Sequence, residues 1–182
     1  MRVIAGTAKG RRIDAVPGNA TRPLLSRIRK SLFDIISDRI VEAAVLDLFA
    51  GSGSVGIEAL SRGASECVFI DIDGAAISTI KKNLNNTGLA DRAKVFRTDA
   101  FKYLKRSKAS FDFIYIAPPQ YKGLWEEALL SLAERPNLLT IGGQGIVQID
   151  PREYEPLAVK TLRETDQRSY GNTLLVFYER TN

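Results

Sequence analysis

Residues 47 to 56, DLFAGSGSVG, place a G-x-G-x-x-G pattern at Gly51, Gly53 and Gly56. The apolar run AVLDLFA precedes it and the helix-like SVGIEALSRG follows it, the context in which such a loop binds nucleotides. Glycine lets the turn tighten and brings backbone N–H groups close to a ligand at a helix N-terminus. Asp71 closes a second apolar run about 20 residues further on, where a carboxylate can accept hydrogen bonds from ribose hydroxyls. A dinucleotide oxidoreductase and an S-adenosylmethionine enzyme both use this arrangement. Three features favour the second. Asp47, four residues before Gly51, could meet a cationic amino end of the cofactor and would repel a pyrophosphate. Asp99, after a third strand, could accept from an adenine amine. Pro118 and Pro119 end a fourth strand at the carboxyl edge of the sheet, where open α/β folds bind ligands. Each acid alone also suits a capping or surface role; the three in order are a stronger signal.

The other chemically suggestive stretch is FIYIAPPQY, residues 113 to 121. Neither proline donates a ladder hydrogen bond and each fixes φ near −65°, so a core strand must stop there. Ala117, just before them, has no polar side-chain atom. Gln120 and Tyr121 follow. Tyr115, within the strand, and Trp125, after it, read as packing residues.

Whatever reaction occurs here uses no histidine, because the chain has none. Ser-His-Asp triads, Cys-His pairs and the usual zinc sites are excluded. Cys67 is the only cysteine, which removes an internal disulfide and a cysteine-built metal site. Its apolar neighbours Val68 and Phe69 suggest core filler. At 182 residues and 45% hydrophobic content the chain suits a single domain over 1–182. No apolar run approaches 18 residues, and the N-terminus lacks a signal-peptide core, so a cytosolic protein without membrane contact is expected.

The net charge of +5 is uneven. Residues 1–30 carry Arg2, Lys9, Arg11, Arg12, Arg22, Arg27, Arg29 and Lys30 against Asp14, a net +7, and the rest sums to −2. A basic N-terminal sixth is the footprint of a polyanion-binding arm. A membrane surface fits less well, since the arm has no strong apolar face.

These groups need a scaffold, and the pattern supplies one. The first residues suggest a small hairpin around Gly6 and Gly10. A helix follows from a Ser26 cap, with Ile28, Leu32, Ile35 and Ile36 on one face and Arg27, Arg29 and Lys30 off it. From residue 44, strand and helix alternate: AVLDLFA, SVGIEALSRG, ECVFIDI, GAAISTIKKNLNNTG, AKVFRT, DAFKYLKRS, FDFIYIA, GLWEEALLSLAER with Leu124, Ala128, Leu129 and Leu132 inward, and GQGIVQID. The tail reads as two strands joined near Gly171-Asn172. Successive βα units imply an α/β fold, a doubly wound, mostly parallel sheet with an antiparallel closing hairpin. A basic arm and helix over 1–40 would precede a cofactor-binding core over 41–182.

The segments RVIAG…KGRR, TRP…SRIRKSLFDII, LDLFAGSGSVGIEALSRGA, VFIDID, TDAF, FDFIYIAPPQY and RSYGNTLLVFYER resemble, in order, the RsmD-type methyltransferases. The resemblance runs from Arg2 to Arg180. It implies a class I, Rossmann-like fold and S-adenosylmethionine-dependent methylation of the exocyclic N2 of a guanine in 16S rRNA, within a small-subunit particle, without a metal. Carried over by position, it implies that Asp47, Gly51, Ser52, Gly53, Asp71, Ile72, Asp99 and Ala100 hold the cofactor. It likewise implies that Arg2, Lys9, Arg11, Arg12, Arg22, Arg27 and Arg29 meet RNA, with Thr21-Arg22-Pro23 part of the signature. Ala117, Pro118, Pro119, Gln120 and Tyr121 fall on the catalytic motif.

That motif exposes a departure. A guanine amine is a poor nucleophile, and acceptors aimed at its protons localise the lone pair and stabilise the growing charge. The family pattern has Asp or Asn before Pro-Pro and an aromatic after it. Here Ala117 and Gln120 occupy those places and Tyr121 comes one position late. Three readings stand: backbone carbonyls near Pro118, the Gln120 amide and a Tyr121 stack suffice; methylation is slow; or the chain binds cofactor and RNA without catalysis.

Overall fold

The computed structural model describes residues 1–18 and 26–181. One sheet has the strands β1 (Ala44–Asp47), β2 (Glu66–Asp71), β3 (Ala93–Arg97), β4 (Phe111–Ile116), β5 (Leu139–Ile149), β6 (Leu162–Tyr170) and β7 (Thr173–Arg180). Their spatial order is β3-β2-β1-β4-β5-β7-β6. The first five pair in parallel, while β7 runs antiparallel to both β5 and β6. The hairpin closes at Tyr170↔Thr173, around Gly171-Asn172 as the sequence suggests.

Strands buried on both faces read as near-continuous apolar runs, and their alternation sorts side chains between two layers. Val45, Cys67, Phe69, Phe113 and Tyr115 point to one face, beneath α1 (Ser26–Ile36), α2 (Ser54–Ser61) and α3 (Gly74–Thr87). Leu46, Val68, Ile70, Ile114 and Ile116 point to the other, beneath α4 (Ala100–Arg106) and α5 (Leu124–Glu134). Local signals set the helix ends. Asp73 accepts from the Ala75 N–H at 2.9 Å to start α3, and Gly88, left-handed at φ 71°, ends it. Strand order reverses between β1 and β4, so the crevice at their carboxyl ends is where this topology receives ligands. Among the described residues, no helix is long and apolar enough to cross a membrane.

Several expectations need correcting. The basic N-terminus is packed onto the sheet layers. Its hairpin forms, with an antiparallel Arg2↔Arg12 bridge and the Val3 N–H donating to Arg11 O at 3.0 Å. Val3, Ala8 and Ile13 then join the core. A Cβ on Gly6 would lie 1.7 Å from the Ser61 carbonyl oxygen, so only glycine lets the hairpin sit this close to the end of α2. On α1 the inward stripe is Ile28, Arg29, Leu32, Phe33 and Ile36; Phe33 takes the place expected for Ile35, which is exposed. On α5 it is Trp125, not Leu124, that is fully buried, and Trp125 stacks on Tyr154. Thr21, Arg22 and Pro23 lie outside the described residues.

Candidate cofactor and substrate crevice

Past β1 the chain stays strapped between its neighbours: the Leu48 N–H donates to Tyr115 O at 3.0 Å and the Ala50 N–H to Ile70 O at 2.9 Å. It then turns through Gly51 at φ 54° and Gly53 at φ 76°, conformations that favour glycine. The three glycines have different tasks. A Cβ on Gly51 would meet nothing within 4 Å, so the loop presents open space there. A Cβ on Gly53 would press on Ile80 at 3.2 Å and Phe69 at 3.3 Å. On Gly56 it would lie 2.3 Å from a Phe69 ring carbon and 2.6 Å from Cys67 Sγ, which makes Gly56 the residue that lets α2 approach β2. Cys67 is buried core, as expected, and burial pushes its thiol pKa well up.

Three side chains hold this loop. Asp71 Oδ2 accepts from the Gly51 N–H at 2.8 Å, and its Oδ1 from the Asp73 N–H at 2.9 Å. Asp47, only 2% exposed, lies on the floor with Oδ2 accepting from the Gly56 N–H at 3.1 Å. Burial raises its pKa to about 7, opposed by the Gly56 bond and assisted by the nearby Asp71 charge. Asn83, fully buried, uses its whole amide. Nδ2 donates to Ser52 O at 2.9 Å and Asp14 O at 3.0 Å, and Oδ1 accepts from the Asp14 N–H at 2.8 Å. One side chain thereby ties the N-terminal segment to the glycine loop.

Along the same edge, Ile72 follows Asp71 and is 67% exposed, an apolar surface beside a polar acceptor. Asp99 caps α4 by accepting from the Lys102 N–H at 2.9 Å, and Ala100 is buried behind it. The acids thus step across the carboxyl ends of β1, β2 and β3 in order.

The opposite wall is the end of β4. Ala117 is half-buried against the core, Pro118 is buried, and Pro119, Gln120 and Tyr121 are exposed. Tyr121, 59% exposed, has φ 59°, a left-handed conformation that is strained for a non-glycine residue. The turn after β5 holds it there. The Tyr121 N–H donates to Glu153 Oε2 at 2.6 Å, and its hydroxyl donates to Asp150 Oδ2 at 2.7 Å. Arg152 donates to that hydroxyl at 2.5 Å, lies 5.6 Å from the ring centre, and pairs with Asp150 at 2.9 Å. Hydrogen bonds from Arg152 hold the Asp150 carboxyl well below the usual range, while the bond to Asp150 raises the Tyr121 phenol.

Arg2, Lys9, Arg11, Arg12 and Arg27 are exposed as an RNA-facing set requires. Arg29 is a correction. It is fully buried, donating to Arg2 O at 2.5 Å and lying 3.5 Å from Glu58, so it organises the hairpin and cannot meet a ligand. Glu58, equally buried, also accepts from the Ile4 and Ala5 N–H groups at 2.9 and 3.0 Å and from Arg62 at 2.8 Å. Glu58, Asn83 and Arg152 are absent from the sequence reading. A carboxylate within the mostly apolar helical segment SVGIEALS was a readable sign of a buried pair, and D-P-x-E at 150–153 of a capped turn. Asn83 carries no such sign.

Two open hollows lie elsewhere, about 340 Å³ between Arg39, Asp112 and Gly142 at the amino edge and about 390 Å³ beside α1 near Asp34 and Arg62. Neither touches the glycine loop. Strand topology and the loop, rather than cavity size, therefore locate the site.

A parallel sheet reversing at β1, a glycine turn with an acid at the end of β2, and a proline-broken β4 define a class I methyltransferase fold. The family model described as "Conserved hypothetical protein 95" matches residues 1–179, and the chain belongs to that family, the RsmD-type methyltransferases its motifs resemble. "Putative rRNA methyltransferase YlbH" of Bacillus subtilis is 39% identical, with 99% of each chain covered. "Ribosomal RNA small subunit methyltransferase D" of Haemophilus influenzae is 34% identical over 94% of each. The solved structure of "Putative methyltransferase yhhF" from Escherichia coli superposes with a TM-score of 0.87 at 31% identity, covering 99% of this chain and 97% of that one.

Proposed function

We propose that this chain is a single-domain, S-adenosylmethionine-dependent methyltransferase that modifies the N2 amine of a guanine in 16S rRNA, in the bacterial cytoplasm and on a small-subunit particle. The observation that carries the reading is the facing of two walls at the β1/β4 switch point: the Gly51–Gly53 turn with Asp71, and the Pro118–Tyr121 turn. The cofactor supplies a methyl group already activated on a sulfonium. The residues fit it: open space at Gly51, an acceptor at Asp71, exposed apolar surface at Ile72, and Asp99 with Ala100 at the next strand end. Asp47 acts from below, fixing the start of α2 through Gly56.

On the substrate side the protein's work is positioning and charge stabilisation. Tyr121 offers a ring for base stacking, held by Asp150, Arg152 and Glu153. Backbone carbonyls around Ala117 and Pro118, with the Gln120 amide, accept the amine protons. The leaving proton passes to solvent, since no histidine or carboxylate stands at position 117. The same gap favours a second reading, a protein that binds cofactor and RNA but transfers slowly or not at all.

Small-subunit particles lacking the mark, incubated with labelled donor, test both. Transfer to one guanine N2 is expected; tight binding without transfer would overturn the enzyme reading. Ala117→Asp restores a polar acceptor and is expected to raise the single-turnover rate by about tenfold to a hundredfold. Calorimetry with S-adenosylhomocysteine and NAD, of which only the first should bind, checks the cofactor.

A further inference from the structure

The N-terminal sixth is not the only concentration of positive charge. Residues 92–108 contain seven basic side chains against the single acid Asp99, and acids elsewhere mask this in the total. Arg92 is spent on the Ala64 and Leu60 carbonyls, and Lys94 on Glu66. Lys102, Lys105, Arg106 and Lys108 are exposed and, among the described residues, lie in no ion pair. Lys102, Lys105 and Arg106 follow i, i+3, i+4 spacing and share the outer face of α4.

Two ordinary explanations fail. Basic residues in a last helical turn can serve the unpaired carbonyls, but Arg135 already donates to Leu104, Lys105 and Ser107 at the end of α4. A solvated charged face would not need an exposed aromatic, yet Phe96, 45% exposed on the edge strand β3, stacks on Tyr103 of α4 with ring centres 6.1 Å apart. Unpaired cations around an accessible stacked aromatic suit a polyanion with planar bases. The cluster also lies on the sheet face opposite the N-terminal hairpin, which packs with α2 and α3.

We propose that the β3–α4 surface is a second RNA-binding surface, at which Lys102, Lys105, Arg106 and Lys108 meet phosphates and Phe96 with Tyr103 receives an unpaired base. Resting on the RNA-methyltransferase reading, this means the rRNA is held on both sides of the sheet edge while the target guanine enters at the carboxyl end. The test measures binding of in vitro transcribed 16S rRNA across a salt series. The K102Q/K105Q/R106Q variant should lower the slope of log affinity against log salt by about two to three, at about 0.7 to 0.9 per lost phosphate contact. F96A should weaken binding about fivefold or more at every salt with little change in slope. Both variants should keep wild-type S-adenosylhomocysteine affinity and unfolding midpoint, which separates RNA contact from damage to the fold. Wild-type slope in the triple variant overturns the second surface alone. Loss of binding to intact particles but not to naked RNA also overturns it, in favour of a ribosomal-protein contact. A wild-type protein that binds no RNA at any salt overturns the underlying reading as well.

Discussion

The two walls of the crevice are built by opposite means. On the cofactor side, backbone groups of the glycine turn and of the start of α2 are tied to buried or half-buried side chains: the Gly51 and Gly56 N–H groups donate to Asp71 and Asp47, and the Ser52 carbonyl accepts from Asn83. On the substrate side the partners are more open: the exposed Tyr121 and Arg152 hold each other above a buried Asp150, and a half-buried Glu153 accepts from the Tyr121 N–H. Burial makes the first wall stiff, because each lost partner leaves a desolvated polar group behind. Exposure makes the second adjustable and sensitive to salt. A ligand of fixed shape suits the first; a nucleotide that must leave its stack to enter suits the second.

The comparison breaks most visibly at Glu58, whose carboxylate supports the hairpin under the stiff wall. Glu58→Ala leaves Arg29 buried without a counter-charge, and denaturant unfolding should show a loss of about 3–5 kcal/mol. A loss below about 1 kcal/mol would mean that the hairpin does not depend on this pair.

Next comes acidity. The Asp47 pKa, about 7 in the fold against 3.8 for the free group, means the folded state binds the extra proton between those values. Stability therefore falls as pH rises from about 4 to about 7, by an amount on the order of 3 kcal/mol. Asp47→Asn should flatten that part of the stability profile. The substrate wall should behave in the opposite sense: Asp150, held low by Arg152, loses its contribution only as pH falls through and below the usual carboxylate range.

Gly56→Ala drives a methyl group into Phe69 and Cys67, so a cost of about 1–3 kcal/mol and weaker S-adenosylhomocysteine binding are expected together. Retained binding with lowered stability would separate the loop from the helix seam. Smallest is Arg152→Ala. Arg152 is 78% exposed, and the buried Asp150 keeps the Tyr121 hydroxyl and the backbone N–H of residue 152 as donors. The unfolding midpoint should therefore fall only slightly, while KM for the RNA substrate should rise severalfold with cofactor affinity unchanged. Equal losses in both affinities would show that the walls are coupled.

Much of this was legible in the sequence. Strand and helix order, the closing hairpin and the approximate glycine-loop boundaries follow from periodicity and glycine placement, which are local signals. Arg29 was misread for a physical reason: helical spacing says which residues share a face but not that a neighbouring element brings a carboxylate to bury one of them. The same applies to Phe33 and Ile35, whose exchange depends on where the hairpin packs. Asn83 and the Tyr121 clasp join residues 29 positions apart or more, and no local pattern encodes such pairings. The basic segment of α4 was hidden by summing charge over the remainder of the chain.

Cys67 offers a practical consequence. Its thiol is sealed behind Gly56, with no second thiol in the chain to compete for reagent. Alkylation can proceed only during the brief intervals when helix α2 lifts from the sheet. The modification rate in native buffer is therefore an internal clock for breathing of that seam, and occupancy of the neighbouring turn should slow it without any introduced probe.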